Sequence, residues 1–134
     1  MLSSIEAIQF IQSHPKVAIV GLSPKEDRPS FHVGSFLSGH GFQITPVNPT
    51  ANEILGFTAK GSLSELQPGD VDWIDLFINP TRLMALLPEI IRLKPQLVWC
   101  QIGVVDEAFN EALANEGIKF IADKCPKIEW SNGR

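Results

Sequence analysis

The chain has 134 residues, with 11 Lys and Arg against 15 Asp and Glu, a formal charge of −4 at pH 7. Leu, Ile, Val and Phe make up about a third of it, well above the ~20% below which disorder sets in, and the length suits one domain with one core over residues 1–134. The acidic balance and the absence of Lys/Arg clusters argue against general nucleic-acid binding, and no apolar run approaches the ~18–20 residues that span a bilayer.

Hydrophobic spacing then divides the chain into alternating segments. From Ser4, the residues Ile5, Ile8, Phe10 and Ile11 follow a helical period that Pro15 ends. Val17–Val20 reads as a buried strand stopping at Gly21. Val33, Phe36, Leu37 and His40 mark a helix with Ser30 as its N-cap and Gly41 as its stop. A second strand follows over Phe42–Val47, with Pro46 near its end. Between Asn48 and Gly69 the pattern weakens to a turn at Ile54–Gly56, a short edge strand at Phe57–Lys60 and one helical turn at Ser62–Leu66. Val71–Ile78 is the fourth strand. Asn79 and Pro80 then open a helix through Leu93 that Pro88 is expected to kink or split. Leu97–Ile102 is the fifth strand, Asp106–Glu116 a helix burying Phe109, Ala112 and Leu113, and Ile118–Ala122 the sixth strand. From Asp123 the tail reads as irregular. Six strands alternating with helices imply an α/β, Rossmann-like, doubly wound and mostly parallel sheet with helices on both faces, in the order 3-2-1-4-5-6.

Cys100 and Cys125 form neither a disulfide framework nor a zinc pattern, and His14, His32 and His40 supply no metal motif. No metal site is expected. The N-terminus lacks a basic, apolar leader, so the cytoplasm is the expected compartment. Cys100 reads as core and Cys125 as a packed thiol, although Lys124 and Lys127 beside Cys125 keep a reactive role open.

In sheets of this kind ligands bind beyond the carboxyl ends of the strands, where strand order reverses. After the first strand, Gly21 allows close backbone approach, Ser23 offers a hydroxyl, Lys25 and Arg28 offer cations, and the helix near Ser30 offers free N–H groups, a combination that suits pyrophosphate. The competing reading is a polar turn whose cations pair with Glu26 and Asp27. A nicotinamide fingerprint is absent: no G-x-G-x-x-G stands here, and Asn48-Pro49 replaces the ribose-binding acid after the second strand. A Walker loop and a G-x-S-x-G elbow are absent too. Later strand ends bring Asn79, readable as a cap alone, Gln101, whose amide needs partners, and Gly103, which serves either a ligand or a turn. No catalytic constellation emerges.

Taken together, Gly21-x-Ser23-Pro24-Lys25 with Arg28-Pro29-Ser30, then Pro46-Val47-Asn48-Pro49, Trp99-x-Gln101-x-Gly103-Val104 and Asp123-Lys124-Cys125-Pro126-Lys127-Ile128-Glu129 resemble the small stand-alone CoA-binding proteins. That family is similar to the CoA-binding domain of succinyl-CoA synthetase. The resemblance implies a small-molecule ligand, coenzyme A or an acyl-CoA, lying across the strand ends. Gly21, Ser23, Lys25, Arg28 and Ser30 would then hold phosphates, and Val47, Asn48 and Pro49 would flank adenosine. Ile78, Asn79 and Pro80 would line the pantetheine path, with Gln101 and Gly103 nearby. Where family members often carry further basic residues after the fourth strand, this chain has Ile78-Asn79. The expectation is a non-catalytic CoA-binding protein, able to form a homo-oligomer and with no protein partner indicated. The alternatives are a CoA-dependent transferase or ligase subunit, and an NAD(P)-sensing or protein-interaction module.

Overall fold

The computed structural model describes residues 1–132; the last two residues of the expected 1–134 span lie outside them. Five parallel strands form one sheet in the order β2-β1-β5-β6-β7, with β1 Lys16–Val20, β2 Gln43–Val47, β5 Trp73–Leu76, β6 Leu97–Cys100 and β7 Phe120–Ile121. The class is α/β and Rossmann-like. The expected order is corrected at one edge. Phe57–Thr58 (β4) pairs antiparallel with Glu53–Ile54 (β3), turning through Leu55 and Gly56, both at positive φ. That is the geometry a two-residue hairpin requires. Only Lys60 reaches the main sheet, through a parallel bridge to Val47. Its N–H donates to the Pro46 carbonyl, so Pro46 lies where no second full strand needs its missing donor.

Side-chain alternation splits the sheet into two faces. Ala18, Val20, Ile74, Leu76, Val98 and Cys100 pack with α3 (Leu83–Leu93), α4 (Glu107–Asn115) and the 3-10 turn Leu63–Glu65. Val17, Ile19, Ile44, Trp73, Trp99 and Ile121 pack against α1 (Ser4–Gln12), α2 (Pro29–Gly39) and α5 (Pro126–Asn132). Trp73 and Trp99 are fully buried, and their indole N–H groups donate to the carbonyls of His14 and Lys124 at 3.0 and 2.9 Å.

Several local expectations change. In α1 the buried face is Ala7, Ile8 and Ile11, while Ile5 is exposed; Ser3 caps the helix in a reciprocal box with Glu6. Arg28 occupies the N-cap of α2, with Pro29 first in the helix and Ser30 one residue inside it. Ser30 therefore does not cap. Pro88 does not split α3, which runs unbroken after a 3-10 turn at Pro80–Arg82. In α4, Phe109 and Leu113 are buried and Ala112 only partly so, with Asp106 capping through the Phe109 N–H. The tail is ordered into α5: Pro126 starts it, and Trp130 packs edge-on against Phe36 and Phe42. Among the described residues no helix is long and apolar enough to cross a membrane, and no group of three or more His, Cys, Asp and Glu could hold a metal ion.

Candidate ligand-binding site

A cleft of about 720 Å³ opens at the carboxyl ends of β1, β5 and β6. This is the place where the chain leaves β1 for β2 on one side and continues to β5 on the other, the reversal point of the sheet. Its walls come from the loop after β1, the start of α2, the segments following β5 and β6, and the start of α5.

The loop after β1 is held by its own backbone. Gly21 has φ +83, and a Cβ there would lie 2.1 Å from the Phe77 carbonyl oxygen, so only glycine fits. The Ser30 hydroxyl accepts the Ser23 N–H at 3.0 Å, and the Ser23 hydroxyl accepts the Lys25 N–H at 3.1 Å. Both serines thus shape the loop besides lining the cleft. Pro29 has no N–H, and the amides of Phe31 and His32 bond back to the Arg28 carbonyl, which leaves the Ser30 N–H as that turn's unpaired donor. Lys25 and Arg28 line the cleft and are exposed. Among the described residues the only ion pair is Arg92–Glu89, so Glu26 and Asp27 do not neutralise the two cations. The polar-turn reading of this loop loses its pairing partners.

The opposite wall is apolar with a few amides: Phe77, Ile78, Asn79, Gln101, Ile102 and Val104. Asn79 caps the 3-10 turn, accepting the N–H of Thr81 at 3.0 Å and its hydroxyl at 2.8 Å. Gln101, 4% exposed, donates its Nε2 to Oδ1 of Asp75 beneath the cleft floor. Asp75 is fully buried, and burial pushes its carboxyl up from the usual 3.8 to about 7, with the Gln101 hydrogen bond acting in the opposite sense.

Of the thirteen residues expected at a site, eight line this cleft: Gly21, Ser23, Lys25, Arg28, Ser30, Ile78, Asn79 and Gln101. Five do not. Val47 is buried in the core and Pro49 is exposed. Asn48 braces the loop, donating to the Leu22 carbonyl at 3.0 Å and accepting the N–H groups of Thr50 and Ala51. Pro80 starts the 3-10 turn. Gly103, at φ +81, donates its N–H to Asp123 Oδ1 at 2.8 Å, a turn role. The structure adds Pro29, Val33, Phe77, Ile102, Val104, Cys125 and Ile128 to the lining. Cys125, directly before α5, is half-buried and free; it packs against the core as expected and also lines the cleft wall. Proline directly after Cys125 is the sequence signal for that helix start.

With a cleft at the reversal point of its parallel sheet, Lys25 and Arg28 on one wall and apolar side chains on the other, the molecule has a Rossmann-like α/β fold. The chain belongs to the CoA binding domain family, whose pattern matches residues 15–131. It is 33% identical over 126 residues to the uncharacterized protein YneT of Bacillus subtilis (strain 168), covering 94% of this chain and 93% of that one. A solved Thermus thermophilus protein, cell-free ID.343, superposes with a TM-score of 0.92 at 32% identity, over 99% of this chain and 100% of that one. The dinucleotide forming acetyl-coenzyme A synthetase 1 of Ca. Korarchaeum cryptofilum shares the fold at 15% identity and TM-score 0.68, over 83% of this chain and 26% of the enzyme.

Proposed function

We propose that this protein binds coenzyme A or an acyl-CoA in the cleft, as one binding unit working in the cytoplasm, and holds the ligand without transforming it. The observation that carries the reading is the pairing, in one cleft of about 720 Å³, of two cations without acidic partners and a long wall of apolar and amide groups. CoA has the same division: several phosphate charges at one end and a mostly uncharged arm at the other. Lys25 and Arg28, the Ser30 N–H and the hydroxyls of Ser23 and Ser30 meet the phosphates, where charge-assisted hydrogen bonds are strongest. Phe77, Ile78, Ile102 and Val104 cover the arm, Asn79 offers hydrogen bonds to its amides, and Gln101 offers one toward its far end. Membership of the CoA binding domain family supports the same ligand.

Competitive calorimetry with CoA, NAD and NADP tests the reading. CoA is expected to bind tightest, and tighter binding of NAD would reverse it in favour of a nicotinamide-sensing module. Incubation with acyl-CoA, ATP and acceptors tests the non-catalytic role; sustained loss of thioester would make the protein a transferase or ligase component.

A further inference from the structure

Among the described residues, Asp75 carries the only buried carboxyl, and no Lys, Arg or His is buried. It lies mid-sheet, with Ile19 of β1 beside it on one side and Trp99 of β6 on the other. Its Oδ1 accepts the hydrogen bond from Gln101 Nε2, and its Oδ2 has no partner. Gln101 forms the link from this buried carboxyl to the cleft: it is 4% exposed, lines the cleft wall, and its carbonyl Oε1 makes no hydrogen bond among the described residues. Oε1 is not among the buried orphaned atoms, so an amide engaged at one end only leaves its other end open to the cleft for a ligand.

The free end of that amide depends on the partner behind it. A carboxylate accepts only, so it takes the NH2 and leaves the C=O toward the cleft. A protonated carboxyl can donate its O–H to the amide oxygen, and the NH2 then faces the cleft. We propose that Asp75 is a positioning residue which, through Gln101, sets whether this wall accepts or donates a hydrogen bond, and thereby discriminates a free thiol from a thioester at the end of the ligand arm. The carboxylate form favours the S–H donor of CoA, and the protonated form favours the C=O of an acyl-CoA. The inference rests on the reading of the cleft as a CoA site.

Burial pushes the Asp75 carboxyl up to about 7, which brings its change of state into the physiological range. Few other charges act on it. β1 opposes it with Ile19 and β6 with Trp99; the Cys100 thiol, next along β6 on the other face, is pushed up to about 12 by burial and the Asp75 charge and so stays neutral. Lys25, Arg28 and His32 around the start of α2, and Lys124 and Lys127 by α5, are solvent-exposed.

The test is calorimetry of the intact chain with CoA and with acetyl-CoA between pH 5.5 and 8, reported as the ratio of the two affinities. Both ligands carry the same phosphates, so phosphate and histidine ionisation cancels in the ratio. The expected result is a shift of roughly fivefold toward the free thiol as pH rises through 7, the worth of one ordinary hydrogen bond. In Asp75→Asn the ratio is expected to be flat. Spectra of the ligand-free protein supply a second readout: the Asp75 carboxyl carbon and the Gln101 side-chain nitrogen should titrate with one shared midpoint. A flat ratio in the wild type, a slope surviving in Asp75→Asn, or a Gln101 amide indifferent to Asp75 would each overturn the proposal. Failure of both ligands to bind at any pH defeats the CoA reading, and the ligand half of this proposal with it. The shared titration in the spectra separates that outcome from an error about Asp75 and Gln101.

Discussion

The buried carboxyl of Asp75 has a consequence for stability that can be measured without any ligand. In the unfolded chain the group ionises near 3.8, whereas in the folded protein burial holds it protonated up to about 7. Between those values the folded state binds one more proton than the unfolded state, so stability falls as pH rises, by ~1.4 kcal/mol per pH unit. Across the whole interval the loss is about 4 kcal/mol, complete above the folded value and absent below the unfolded one. Asp75→Asn removes the titrating group while preserving shape and the ability to pair with Gln101. Urea denaturation of both proteins from pH 3.5 to 8.5, plotted as the difference in unfolding free energy, isolates this one group because all others are shared. The two proteins should be alike near pH 4, and the variant should become progressively the more stable up to about pH 7, the difference then holding level. A level difference curve would refute the reasoning, as would one sloping the other way. The latter would mean that the native environment favours the carboxylate over the acid.

Gly21→Ala should destabilise the fold by ~2–4 kcal/mol, since its Cβ would meet the Phe77 carbonyl oxygen at 2.1 Å with φ at +83; thermal and urea unfolding measure it, and a loss under ~0.5 kcal/mol would contradict the close approach. Arg28→Ala should weaken CoA about tenfold while leaving a phosphate-free pantetheine fragment nearly unaffected; equal losses in calorimetry would remove Arg28 from the phosphate end. Cys125 should react with a thiol-alkylating reagent in the native protein and be protected by saturating CoA, whereas Cys100, fully buried with its thiol pushed up to about 12, should react only after unfolding. Peptide mass mapping reads both sites, and equal labelling with and without CoA would place Cys125 away from the ligand.

How much of this was legible in the chain depends on how local each determinant is. Runs such as Val17–Val20 and Leu97–Cys100, and the punctuation at Gly21, Gly41 and Asn79-Pro80, specify elements within a few residues, and the parallel sheet follows from their alternation. The loop after β1 is legible for the same reason, because glycine, hydroxyls and cations all lie in one short segment. Less is legible where a distant partner decides. That the Asn48 amide reaches the Leu22 carbonyl, and that Asp123 turns back to accept the Gly103 N–H, cannot be read from the local sequence. Phe57–Thr58 looks like the sheet's outer strand, yet positive φ at both Leu55 and Gly56 closes it into a hairpin with Glu53–Ile54 instead. The tail after Asp123 shows no long apolar period, and α5 is held chiefly by Trp130 reaching Phe36 and Phe42 across the fold.

Asp75 is the most instructive of these cases. In the run Val-Asp-Trp-Ile-Asp-Leu-Phe-Ile its neighbour Asp72 is chemically identical, and period alone cannot rank them. Topology does: Asp72 sits at the rim, accepting the Lys16 N–H at 3.1 Å, while Asp75 falls one strand-turn deeper between Ile19 and Trp99. A carboxyl there costs stability whenever it is charged, because its second oxygen finds no donor. An apolar residue or an asparagine would fill the same space without that cost. The cleft nevertheless gains from the acid something neither replacement supplies, a partner for Gln101 that can change from acceptor to donor near neutrality. Loss of stability as pH rises toward 7 and control of one hydrogen bond in the cleft are thus two effects of a single buried proton, and Asp75→Asn should remove both together.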